Sequence, residues 1–327
     1  MMAQKQPRVL IFGSGAIGGW SGYFIHEGGC DVTAVCRSNY SEVKKNGFRI
    51  DSDQLGVVSY RPAVIKSVVD ARGHFDFVVI ATKALAGQDP TVADIIKPAM
   101  PTATAIVLVQ NGIAIEDEYA RAFPGNTIIS AVAYAPVTQI SPGNLVHSGP
   151  DLIELGTYPA NAGAFAKKQV QDFAKIFTLG GGHIKIFDDI QERRWNKPIM
   201  NCASNPMTAL SLQSVQGLLV SSDEAMRALK RAMMEAASVA EALGYASSHL
   251  TVESHMSYAA SLMTREKPLK PSMMMDVKEG RRSSMEVESI VGNVVRMARN
   301  VDVDTPTLDL LYALIKGLSL STEKVRV

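Results

Sequence analysis

One segment near the start of the chain constrains the fold more than any other: Val9-Leu10-Ile11-Phe12-Gly13-Ser14-Gly15-Ala16-Ile17-Gly18. An apolar run of strand character feeds a G-x-G-x-x-G turn that opens a helix. Gly13 makes the tight turn, Gly15 lets backbone approach a pyrophosphate, and Gly18 lets the helix pack on the strand. With Ser14, Ala16 and Ile17 the helix start offers N–H donors and partial positive charge to phosphates. A glycine-rich turn without a ligand is the plain alternative. The position of the pattern, at the head of a strand-helix-strand unit, favours the nucleotide.

The rest of the chain extends this start in two ways. Up to about Phe187, short β-branched runs alternate with helical patterns, at Val9–Phe12, Val32–Cys36, Phe77–Ala81, Ala105–Val109 and Ile128–Ala133, with a meander between Phe48 and Arg61. Several runs are apolar on consecutive positions, as strands covered on both faces should be. Past Gln191 the strand signal fades, and long stretches rich in Ala, Met and Leu take over, notably Asp223–Gly244 and Glu286–Asn300. The expected fold is therefore α/β, with a Rossmann-type parallel sheet domain over 1–188 and an all-helical domain over 189–327. The join falls near Phe187–Gln191, after the Gly180-Gly181-Gly182 turn and the short run Ile184–Phe187.

A length of 327 residues suits two domains with separate cores. At 46% hydrophobic and 20% charged residues with net charge +1, the chain generates no field that would gather nucleic acid or an anionic membrane. The polar opening from Met1 to Arg8 lacks an apolar signal region, so a cytoplasmic protein is expected. Cys30, Cys36 and Cys202 lack metal-ligand spacing and read as small buried apolar residues.

At the end of the second strand run, an acidic residue would hold the ribose 2′-hydroxyl of NAD. This chain reads Val35-Cys36-Arg37-Ser38 there. The guanidinium of Arg37 suits the 2′-phosphate of NADP(H), which a carboxylate would repel. A solvated loop cation is the other use for Arg37.

Reduction of a ketone needs a donor for the developing alkoxide, and a 2-keto acid also needs partners for its carboxylate. Between Arg194 and Pro206, Lys197, Asn201 and Asn205 recur at steps of four. On a helix they form one polar stripe about 12 Å long, beside apolar Ile199, Met200 and Cys202. Pro198 starts or kinks such a helix. An exposed polar face anchored by Trp195 accounts for the pattern equally well. Two further candidates follow strand runs: Lys83 in Thr82-Lys83-Ala84, as a contact for cofactor or substrate, and Asn111 in Gln110-Asn111-Gly112, as a neighbour of the nicotinamide. Taken singly, a surface cation and an Asn-Gly turn describe them.

Together these residues resemble the ketopantoate reductase (2-dehydropantoate 2-reductase) family, from the first strand to near Leu311. The resemblance is carried by the glycine turn through Gly19, Cys36-Arg37, Thr82-Lys83-Ala84, Gln110-Asn111-Gly112 and Pro142-Gly143. It continues with Trp195-x-Lys197-x3-Asn201-x3-Asn205-Pro206, Pro271-Ser272-Met273-x2-Asp276 and Glu286-x-Glu288-x3-Gly292-Asn293. It implies an NADPH-dependent oxidoreductase making (R)-pantoate for pantothenate and coenzyme A. By the family pattern Lys197 is the general acid. Asn111, Asn201, Asn205 and Ser272 bind substrate, Glu286 orients the site and contacts the cofactor, and Lys83 is a further contact. Two departures bear on substrate recognition: Met275 stands where the family has Gln before Asp276, and the stretch from Asp276 to Glu286 is about two residues longer. The longer stretch leaves Glu288 as an alternative to Glu286. Two other readings remain, a reductase of a different 2-keto acid or ketone, and a non-enzymatic NADP sensor. Lys197 with both asparagines argues against the sensor. The Ala- and Met-rich helices would serve either an intradomain core or a homodimer.

Overall fold

The computed structural model describes residues 6–245, 252–264 and 268–321; residues 1–5 of the polar opening segment lie outside them. The chain forms two compact units. One takes the chain to Lys83, then Gly87–Gln110 and Ile115–Ile190; the other takes Ala84–Ala86, Asn111–Ala114 and the chain from Gln191.

The first unit is α/β. Its strands are β1 (Arg8–Phe12), β2 (Asp31–Val35), β3 (Phe48–Ser52), β4 (Gly56–Tyr60), β5 (Ala63–Ile65), β6 (Phe77–Ile80), β7 (Ala105–Leu108), β8 (Ile128–Tyr134), β9 (Val137–Ser141), β10 (Asn144–His147), β11 (Leu152–Tyr158) and β12 (Ile184–Ile186). Helices α1 (Ala16–Glu27), α2 (Tyr40–Asn46), α3 (Val92–Ile96), α4 (Glu116–Ala122) and α5 (Ala164–Leu179) connect them. Eight strands form one sheet in the order β12-β11-β8-β7-β6-β1-β2-β5. The six from β5 to β8 are parallel, and counted along the chain they run 3-2-1-4-5-6, the doubly wound dinucleotide-binding order. β11 adds antiparallel to β8. All four residues of β6 and of β7 are buried, which is why these runs carry no polar alternation. Aromatic contacts lock α1 to α5, with Phe24 and Phe177 ring centroids 5.0 Å apart.

A second sheet, β4-β3-β10-β9, contains the segment expected as a meander. β3 and β4 form an antiparallel hairpin, and β3 also pairs in parallel with β10, Ile50 opposite Leu145. The sequence reading names no element between Ala133 and Ile184, where the structure has β9, β10, β11 and α5. β9 is mostly exposed, and Glu154, Gly156 and Thr157 interrupt the apolar run of β11, so the local strand signal is weak.

The second unit is helical: α6 (Ile190–Ser211), α7 (Val215–Leu219), α8 (Asp223–Ala242), α9 (Val252–Leu262), α10 (Ser272–Lys278), α11 (Asn293–Asn300) and α12 (Pro306–Leu320). The buried face of α8, from Leu229 through Met233 and Ala236 to Ala240, packs in one cluster with Ile199, Cys202 and Ala203 of α6 and Val294, Val295 and Ala298 of α11. Burying each large apolar side chain contributes about 1.5–3 kcal/mol. Glu235 of α8, nearly buried, accepts hydrogen bonds from Thr307 N (3.0 Å) and Leu308 N (2.8 Å), capping α12 with a charge favourable to its dipole. All three cysteines are buried and free. Among the described residues no helix is long and apolar enough to cross a membrane.

Candidate functional site

In the first unit the glycine turn joins β1 to α1 at the carboxyl end of β1, between β2 and β6. Open α/β sheets bind ligands where the strand order reverses, as it does between β1 and β6. Gly13 has φ +99°, and a Cβ there would lie 2.5 Å from Thr82 N, so the turn is pressed against the segment after β6. A Cβ on Gly18 would lie 2.2 Å from the Gly13 carbonyl oxygen. Gly15 differs, because a Cβ there would meet nothing within 4 Å. No protein neighbour demands its small size, whereas a ligand lying on the backbone would. The start of α1 carries neither a side-chain cap nor an acidic residue in its first turn. These features fit a dinucleotide pyrophosphate.

Arg37 is exposed just beyond β2, and Lys83, partly buried, follows β6. Asn39 is a site residue that the sequence does not mark. Its buried Nδ2 donates to the Ser14 carbonyl at 2.7 Å and pins the glycine turn, and an asparagine two residues after Arg37 gives no local signal for that reach.

In the second unit the segment around Lys197 is helical throughout. α6 continues past Pro198 and Pro206, so Pro198 does not start the helix. Lys197, Asn201 and Asn205 share one face. Lys197 and Asn201 are partly buried and Asn205 is 4% exposed, which removes the exposed polar face as an account of the stripe. Lys197 Nζ donates to Asn111 Oδ1 at 2.8 Å. Burial, reinforced by the nearby Arg194 cation, lowers the Lys197 pKa to about 8, against the opposing pull of the Glu286 carboxylate.

Glu286 is buried, and its Oε1 accepts from Ala84 N at 3.1 Å. Past it a helix opens at Val287, passes through a five-residue π turn, Glu288–Gly292, and continues as α11. Such turns are rare and frequently mark functional sites. This one holds the Asn111 loop, because Ile113 N donates to the Ser289 carbonyl (2.9 Å) and Asn293 Nδ2 donates to the Ile113 carbonyl (2.5 Å). Ser289 Oγ also donates to the Ala84 carbonyl at 3.2 Å.

Glu288 is occupied elsewhere, accepting from Lys316 Nζ (2.7 Å), Arg296 (2.7 Å) and the Tyr312 hydroxyl (3.1 Å). Burial raises its pKa, but those hydrogen bonds outweigh burial and leave it lowered. Of the two glutamates, Glu286 is the one electrostatically coupled to Lys197. Ser272 is exposed at the first turn of α10 and makes no hydrogen bond to this cluster. Among the described residues no group of His, Cys, Asp and Glu could hold a metal ion.

Strand order and glycine turn together define a dinucleotide-binding protein. The model for "Ketopantoate reductase PanE/ApbA" matches residues 9–160, and that for its C-terminal part matches 189–319. The chain belongs to the ketopantoate reductase family, which are oxidoreductases acting on CH–OH groups. It is 31% identical to an uncharacterized protein of Saccharomyces cerevisiae, covering 94% of this chain and 92% of that one. With the 2-dehydropantoate 2-reductase of Nostoc sp. it shares 26% identity, over 96% of both chains. The crystal structure of 2-dehydropantoate 2-reductase from Methylococcus capsulatus superposes with a TM-score of 0.84 at 33% identity, covering 98% of this chain and 99% of that one.

Proposed function

We propose that the chain reduces 2-dehydropantoate to (R)-pantoate with NADPH, feeding pantothenate and coenzyme A synthesis. The observation that carries this reading is the Lys197 ammonium, desolvated, held by Asn111 and coupled to Glu286, with its pKa lowered to about 8. A proton donor is most effective when its pKa lies near the working pH. NADPH, when bound, supplies hydride to the keto carbon. Lys197 donates its proton to the carbonyl oxygen as alkoxide character grows, and Asn111 fixes the direction of the ammonium. Glu286 balances the Lys197 charge and orients the site. Asn201 and Asn205 extend the same helix face for the polar groups of the substrate, with Ser272 and Lys83 as further contacts. The backbone from Gly13 to Gly18 holds the pyrophosphate, and Arg37 holds the 2′-phosphate. A cytoplasmic location suits this role.

A second reading keeps the chemistry and changes the substrate to another 2-keto acid or ketone. It is favoured by Met275, which puts a partly buried thioether where the family has an amide. The test follows NADPH oxidation with a panel of 2-keto acids that includes 2-dehydropantoate. A best kcat/KM for 2-dehydropantoate supports the first reading, and a different best substrate supports the second. Tight NADPH binding without turnover on any of them rejects both.

A further inference from the structure

Arg194 lies three residues before Lys197 on α6, and it is among the most deeply buried large side chains of the protein, 2% exposed. Ordering and desolvating a guanidinium to this degree is costly unless it is well bonded, so its position calls for a reason. It donates from NH1 to the carbonyl oxygen of Gly112 at 3.0 Å. Gly112 is the neighbour of Asn111, whose side chain accepts the Lys197 hydrogen bond. One turn of α6 thus holds both ends of the Asn111-Gly112 dipeptide, its backbone through Arg194 and its side chain through Lys197.

We propose that Arg194 is the positioning residue of the proton donor: its buried guanidinium fixes the Asn111-Gly112 turn to α6 and keeps a like charge beside the Lys197 ammonium. This inference rests on the reading of Lys197 as the general acid. The charged groups acting on Lys197 include Arg194 from its own helix and Glu286 from the segment before the π turn. On the side of α9, His255 Nε2 bonds to the Asn196 carbonyl at 2.8 Å, one residue away. Glu286 stabilises the ammonium and Arg194 opposes it. Without Arg194 the ammonium would hold its proton more tightly and donate it less readily. The guanidinium therefore does two separable things, a hydrogen bond to Gly112 and a charge next to Lys197.

Two conservative variants of the full chain separate these effects. Arg194→Gln keeps an amide donor and removes the charge; Arg194→Lys keeps the charge and gives up the planar fork that reaches Gly112. The Lys197 titration is read directly, without turnover, from the NMR shift of its 13C-dimethylated amine, assigned by its absence in Lys197→Arg. Arg194→Gln should move the midpoint up by about one pH unit and Arg194→Lys should leave it in place. Arg194→Lys should lower kcat about tenfold or more while the NADPH Kd stays within about twofold. An unmoved midpoint in Arg194→Gln, or wild-type kcat in Arg194→Lys, overturns the proposal. Those results leave the reading of Lys197 untouched, because it fails separately, by retained turnover in Lys197→Ala.

Discussion

Lys197 Nζ and Asn111 Oδ1 stand 2.8 Å apart although 86 residues separate them in the chain. The asparagine cannot accept a proton at neutral pH, so this bond aims the ammonium without discharging it. A carboxylate in its place would form an ion pair and hold the proton back.

Replacing Lys197 with Ala should lower kcat by about 10²- to 10⁴-fold, the usual range for a general acid. The NADPH Kd, read by fluorescence titration, should change by less than about twofold. A comparable loss in both quantities would assign Lys197 to cofactor binding instead.

Arg37 is exposed beyond β2 with no carboxylate beside it in Cys36-Arg37-Ser38. Arg37→Ala should weaken NADPH about 10- to 100-fold, the loss expected for charge-assisted hydrogen bonds to a phosphate. NADH binding should hardly change. Equal losses for the two cofactors would remove the assigned 2′-phosphate contact.

As the proposed general acid, Lys197 works in its protonated form, and burial and Arg194 lower its pKa to about 8. The profile of kcat/KM against pH should therefore be flat on the acid side of about 8 and fall roughly tenfold per unit above it. A profile that rises through that range would mean that a deprotonated amine does the work.

Gly112 has φ +106°, and a Cβ there would sit 2.5 Å from the Ser289 side chain and from its carbonyl oxygen. Gly112→Ala should cost about 2–4 kcal/mol of stability, through positive-φ strain and overpacking against the π turn. Guanidinium unfolding monitored by Trp fluorescence measures this. An unchanged midpoint would show that the loop and the turn move apart freely.

The parts of this protein that announce themselves in sequence are those whose geometry is local. The turn from Gly13 to Gly18 is one, because glycine spacing and an apolar strand suffice to define it. The stripe of Lys197, Asn201 and Asn205 is another, since a period of four needs only a helix. Parallel pairing of β3 with β10 depends on two segments about a hundred residues apart and leaves no periodic trace in either. The π turn was also invisible, because Glu286–Asn300 reads as an uninterrupted helix and nothing in its composition marks the wider turn at Glu288–Gly292. Arg194 has no signature in the sequence, because a buried arginine and a solvated one look alike in a string of letters; its burial and its contact with Gly112 tell them apart.

Two short loops, Ala84–Ala86 and Asn111–Ala114, belong by their packing to the helical unit although both precede it in the chain. A fragment begun at Gln191 would therefore carry the ammonium of Lys197 without its amide acceptor, and Glu286 without the backbone donor of Ala84. Dissecting the protein at that junction, or grafting its helical half onto another nucleotide-binding half, would have to bring these seven residues along.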